Sequence, residues 1–144
     1  MKKIVSFLTI TALAFLISCG GAGKYGDVKS FINDVIETQS DFLGSIEKAG
    51  SADDIVSAVD TFGDKIIKLA DKSIELKKKY PDSDKWDKNP PAELKEDFDK
   101  LNAQSEKFQK AFMNASIAKY MRDPKVQKAF IDMGKKMEKA KFFQ

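Results

Sequence analysis

The chain has 144 residues, 33% of them charged and 42% hydrophobic, with eight glycines and four prolines. That length supports one domain around a single core, and the mix fits an amphipathic helical protein and excludes a disordered one. The formal charge of +3 falls to +1 once Lys2 and Lys3 are removed with the N-terminal segment, so attraction to nucleic acid through bulk charge is excluded as well.

Residues 1–18 begin with Met1-Lys2-Lys3 and continue as an apolar run from Ile4 to Ile17, broken only by Ser6, Thr9 and Thr11. This is the profile of an export signal peptide. The run ends before the roughly 20 apolar residues that a spanning helix needs. The only cysteine follows at once, in Leu16-Ile17-Ser18-Cys19. An aliphatic residue three positions before the cysteine, a small residue before it and a small one after it resemble the lipobox of bacterial lipoprotein precursors. The resemblance covers residues 1 to 24 and implies that the Cys19 thiol receives a diacylglyceryl group, that the chain is cut before Cys19, and that the new amine is acylated, with chains such as palmitate. Two or more acyl chains give stable anchoring, at roughly 0.8 kcal/mol per buried CH₂. Gly20, standing where an Asp would signal retention in the inner membrane, implies the outer membrane if the envelope has two. The expected organisation is a signal peptide over 1–18, a lipidated cysteine and flexible tether over 19–26, and a helical domain over 27–144.

Within that domain, Val28, Phe31, Ile32, Val35, Ile36, Phe42, Leu43 and Ile46 recur at helical spacing, with Asp27 as the expected N-cap and Gly50 as the stop. Ser51-Ala52-Asp53-Asp54 reads as a capping box that opens a second helix, whose seam runs Ile55, Val59, Phe62, Ile66, Leu69, Ser73, Leu76, Tyr80. The stretch from Pro81 to Pro91 breaks the period and is expected to be a loop. Asn89 is the expected cap of a third helix, with Pro90 and Pro91 in its first turn and Leu94, Phe98, Leu101, Ser105, Phe108, Phe112 and Ala115 along its seam. Asp123-Pro124 ends that helix near Arg122 and caps a fourth, which carries Val126, Phe130, Met133, Met137 and Ala140. No strand signal appears. The expected fold is all-α, an up-down-up-down four-helix bundle with the seams of helices two and three facing each other.

Chemistry is bounded more tightly by what is missing. With no histidine, imidazole acid–base catalysis and Ser-His pairs are excluded, and lipidation consumes the one thiol. No phosphate-binding or nucleophile-elbow motif is present. No catalytic residue, metal or cofactor is therefore expected, and the chain does not read as an enzyme. Asp82, Asp84 and Glu93 stand at positions 1, 3 and 12 of a calcium-loop register, but Trp86 at position 5, Asp87 in place of the glycine at 6, and the two prolines make an acidic turn the better reading.

Two surfaces draw attention instead. Tyr80 and Trp86 share a loop expected at the end farthest from the membrane, where they serve as a partner contact or fold back to plug the bundle. Charge divides between a first helix of −3 over 27–48 and a fourth of +4 over 125–141, which pairing between ring neighbours would explain in part. If the bundle returns its C-terminus to the tethered end, Lys135, Lys136, Lys139, Lys141, Phe142 and Phe143 become a second membrane contact. The functional expectation is a membrane-anchored envelope lipoprotein acting as a non-enzymatic binding module for an envelope or external protein, with no nucleic-acid partner. Alternatives are a carrier or sensor of a small apolar ligand held among the phenylalanines, and a periplasmic chaperone.

Overall fold

Apolar residues three and four apart give a helix one sticky stripe, and burying that stripe is what holds the helix. The computed structural model of the chain describes residues 23–112 and 115–139, and these are helical with no strand. The elements are α1 (Gly26–Lys48), α2 (Ala52–Lys79), short 3-10 turns at Pro81–Lys85 and Ala92–Leu94, α3 (Lys95–Phe112), a single turn α4 (Ala115–Ala118) and α5 (Pro124–Lys139). The expected stripes are the core: Val28, Phe31, Val35 and Phe42 from α1, Ile55, Val59, Phe62, Ile66 and Leu76 from α2, Leu94, Leu101 and Phe108 around α3, and Val126 and Met137 from α5 are buried. At its centre the Phe42, Phe62 and Phe108 rings meet with centroids 4.5 to 5.6 Å apart. Each such side chain contributes roughly 1.5–3 kcal/mol by leaving water.

The link between α1 and α2 is three residues long and is held by one carboxylate. Asp54 Oδ2 accepts from the N–H groups of Gly50 and Ser51 at 3.0 and 2.9 Å, while the Asp54 N–H donates to Ser51 Oγ at 3.2 Å. The capping box read in the sequence is thus formed. Asp123 behaves likewise at the start of α5, accepting from the Lys125 N–H at 2.8 Å with Pro124 in the first helical position.

Two expected caps are overturned. Asp27 lies inside α1, which begins at Gly26 after Tyr25 and has no side-chain cap there. Asn89 does not start α3: Asn89 and Pro90 each precede a proline, which disfavours the helical region for both, and Pro91 itself is extended at ψ 145°, so coiling resumes only at Ala92.

The neighbours also differ from the expected ring. Helix α3 packs chiefly on α1 and runs parallel to it, with Lys29 facing Asp97, Ser40 facing Gln104 and Phe42 facing Phe108. Helix α5 packs chiefly on α2 and is parallel to it, with Asp53 facing Lys125 and Asp64 facing Lys136. Their closest approach is at Gly63, where an added Cβ would stand 3.1 Å from Met133 Cγ. The chief packing order is α3, α1, α2, α5 in place of the expected ring, while the seams of α2 and α3 still meet where Phe62 stacks on Phe108 at 5.6 Å. The basic residues of α5 accordingly pair with acids of α2, not of α1.

The acids of α1 find a different partner. Asp27, Asp34 and Asp41 stand seven residues apart on α1, and Lys79, Lys72 and Lys65 stand seven apart on α2; they pair rung by rung in antiparallel register. The Asp34–Lys72 and Asp41–Lys65 rungs measure 2.6 Å each. Asp34 and Lys72 are solvent-exposed, so reversing one charge with Asp34→Lys should cost about 0.5–1 kcal/mol by urea unfolding, and adding Lys72→Asp should return most of it.

The Asp54 carboxyl is held below the ordinary aspartate value of 3.8, first by the Ser51 hydrogen bond and then by the Gly50 N–H. A depressed folded value means that its stabilisation is complete above the unfolded value and is lost as the pH falls through the folded one. Asp54→Asn should therefore lower the thermal midpoint at pH 7, and the gap to the parent should close in melts run below pH 3.8.

Candidate functional site

Where the chain enters the domain, three aromatic rings close the end of the bundle. Tyr25 precedes α1, Tyr80 ends α2, and Trp86 follows the 3-10 turn that Pro81 starts. The Tyr25 ring meets Tyr80 at 5.7 Å between centroids and Trp86 edge-on at 5.5 Å, and Tyr80 and Trp86 lie 5.6 Å apart. Tyr25 is buried at 9% exposure, while Tyr80 and Trp86 are partly exposed. The domain therefore begins earlier than the expected tether allowed, since Tyr25 is part of its packing.

Beneath the rings sits Asp27, whose side chain is 3% exposed. A buried carboxylate is costly unless its oxygens are occupied. Here Lys79 Nζ donates to Oδ2, the Val28 N–H donates to Oδ1 at 3.0 Å, and the Tyr80 hydroxyl lies 3.3 Å from Oδ1 and 3.0 Å from the Lys24 carbonyl, either of which it can donate to. The Asp27 hydrogen bond raises the Lys79 ammonium above its ordinary value, and burial raises the Tyr80 hydroxyl. Lys24 and Lys79 also stand over the Tyr25 and Tyr80 rings, 5.0 and 5.2 Å from their centroids.

Tyr80 and Trp86 were expected at the far end of the molecule. They lie instead at the entry end, because α2 runs antiparallel to α1 and returns the chain to where α1 began. Trp86 packs against the end of the core and, like Tyr80, stays partly exposed to a partner. In the same turn Asp82 pairs with Lys85 at 2.7 Å and Asp84 with Lys77 at 3.1 Å. Among the described residues no three carboxylates converge as a metal site would require.

The basic residues expected at the membrane end divide in two. Lys135 bonds Asp132 at 3.5 Å and Lys136 bonds Asp64 at 3.1 Å. That level is about 22 Å from the α2 terminus at Lys79, at ~1.5 Å per residue, so these two lysines stand along the side of the bundle and not at its entry end. The side chain of Lys139, and Lys141, Phe142, Phe143 and Cys19, lie outside the described residues.

At the opposite end, a groove of about 320 Å³ runs between α1 and α2 beside the hairpin link. Its floor is Phe42, Ala58 and Phe62, and its walls carry Thr38, Ser45, Ser57 and Thr61, with the Asp41–Lys65 rung across it. The periodic pattern hid it, because these hydroxyls sit beside the seam and not on it.

Removing the most buried of the three rings tests the entry end. Tyr25→Ala should cost about 3 kcal/mol in urea unfolding and shift the emission of Trp86 to the red as the indole gains water, whereas Tyr25→Phe should leave both near the parent. A scan against known protein families, a search of curated proteins and a search of solved structures each found no match.

Proposed function

We propose that the chain is a lipid-anchored envelope lipoprotein whose mature part is a non-enzymatic interaction module, an up-down-up-down set of helices carried on Cys19. The observation that carries this is the juxtaposition of Leu16-Ile17-Ser18-Cys19 with a folded domain that starts as early as Tyr25. No helix among the described residues is long and apolar enough to cross a membrane, so attachment by these parts would rest on the cysteine. The absence of histidine from the sequence supports a binding role over imidazole chemistry. For an envelope or external protein partner, the hydroxyl-lined groove at the hairpin end is the surface farthest from the anchor.

One observation favours a second reading, the carrier of a small ligand. Gln39 Oε1 on α1 and Ser105 Oγ on α3 are buried and have no hydrogen-bond partner among the described residues. They stand three residues before Phe42 and Phe108, which touch across the same interface. Against it, those rings pack on each other with Phe62 and not around an opening. Native mass spectrometry of the purified protein separates the readings, since a carrier retains a ligand mass and a closed bundle does not. A chaperone has less support, because the exposed large apolar residues Ile74, Met121 and Ile131 stand singly on separate elements.

The anchor is tested by fractionation. The parent should be membrane-bound, and its N-terminal peptide should begin at Cys19 and carry the mass of two or more acyl chains. Cys19→Ala should move at least about 90% of the mature-length chain to the soluble fraction or leave it as uncut precursor. A parent that begins elsewhere, with a free thiol, overturns the reading.

A further inference from the structure

A single anchored cysteine fixes where the domain is held but not how it faces the bilayer. Lipidation of Cys19 leaves only residues 20–22 before the described chain begins at Gly23. The backbone then turns at once: Gly23 has φ +96° and its carbonyl accepts from the Gly26 N–H at 3.2 Å. At ~3.3–3.6 Å per residue, Gly23 stays within about 14 Å of the cysteine. The surface nearest the lipid is therefore the one around Lys24 and Tyr25.

That surface has the composition of a membrane interface. Trp86 and Tyr80 are partly exposed aromatic side chains, the type that settles at headgroup level, with the Tyr80 hydroxyl turned inward onto Asp27 and the Lys24 carbonyl. Exposed lysines surround them. Of these, Lys79, Lys77 and Lys85 are engaged by Asp27, Asp84 and Asp82, while Lys78, Lys88 and Lys95 are exposed outside these pairs. From Lys77 to Lys95 the sequence carries a net charge of +2, suited to anionic headgroups. The hairpin end also carries a partly buried tyrosine, Tyr120 with Lys119 over its ring, and the cations Lys48, Arg122 and Lys125, but Glu47, Asp53, Asp54 and Asp123 offset them and no short leash ties that end to Cys19.

We propose that the Tyr25–Tyr80–Trp86 end is a second, non-covalent contact with the bilayer, which stands the bundle upright with the α1–α2 hairpin outermost. The proposal rests on the reading of Cys19 as the lipid anchor. The rings sit at headgroup depth, the lysines meet lipid phosphates, and α2 runs along the membrane normal. At ~1.5 Å per residue along α2, the groove beside Phe62 and Ala58 then stands roughly 25–30 Å above the Lys79 end. The contact is weak alone, and it acts because the anchor keeps it at high local concentration.

Trp86 is the only tryptophan in the chain, so its fluorescence reports this contact directly. The acylated protein, purified from membranes, is reconstituted into phosphatidylethanolamine–phosphatidylglycerol vesicles, with or without lipid brominated near the top of the acyl chain. Trp86 emission should fall at least about twofold with brominated lipid and shift to the blue relative to detergent-free protein lacking the acyl chains. A Trp86→Phe, Ser57→Trp variant, with its indole on the exposed face near the hairpin, should not be quenched. Circular dichroism of each variant establishes that the helices are intact. Acylated, vesicle-bound protein whose Trp86 is quenched no more than the Ser57→Trp indole overturns the upright contact and leaves the anchor standing. A Cys19 without acyl mass overturns both.

Discussion

The arrangement depends on the register between α1 and α2, and the heptad ladder of Asp27, Asp34 and Asp41 on Lys79, Lys72 and Lys65 sets it. The Asp34–Lys72 and Asp41–Lys65 rungs are exposed and each is worth little in free energy. A slip of one heptad would also retain two rungs of three, so the exposed pairs cannot choose the register by themselves. Asp27 can. Any slip takes its buried carboxylate away from the Tyr80 hydroxyl and from the ring cluster that excludes water above it. Apolar burial along the seams supplies the stability, while this one charged group makes the alternatives costly. Both surfaces discussed above follow from it, since the same register closes the aromatic end and opens the groove at the hairpin.

Much of this was legible in the residues, and the gaps have a common cause. A stripe such as Ile55, Val59, Phe62, Ile66 says that a face is buried but not against which helix. The pairings of α3 with α1 and of α5 with α2 were therefore beyond periodicity. Helix α2 needs two buried sides, and its second side is written in Gly63 and Ala70, residues too small to stand out among the charges around them. Asp27 misled because an acidic residue at the start of an apolar run is what an N-cap looks like, and only the position of Tyr25 and Tyr80 shows that it is enclosed. The Ser51–Asp54 box and the Asp123-Pro124 start were readable because their partners lie within four residues. The end at which Trp86 sits follows from helix direction, and the Lys135–Lys136 pair was misplaced because the length of α5 against α2 was not fixed by either sequence alone.

The candidate site was legible only as a list of residue types. Cys19 came from a local motif, whereas the meeting of Tyr25, Tyr80 and Trp86 joins residues more than fifty positions apart, which no spacing rule could bring together. What unites the two is short-range chain geometry. A leash of a few residues makes the entry face of the domain and the site of attachment a single region, so the packing of three rings acquires a bearing on how the protein meets its surroundings.

The order α3, α1, α2, α5 also has a kinetic meaning. The α1–α2 hairpin is closed by a three-residue link, while α3 docks chiefly on α1 and α5 chiefly on α2 through contacts some 64 to 72 residues apart in sequence. Closing the short loop costs the least entropy, so the hairpin is the natural first unit to form, with its ladder and capping box complete once Tyr80 is available. Helix α3 then adds chiefly to α1, with Phe108 stacking on Phe62 of α2, and α5 adds chiefly to α2. The hairpin, the partner of both, is the part of the molecule expected to open last.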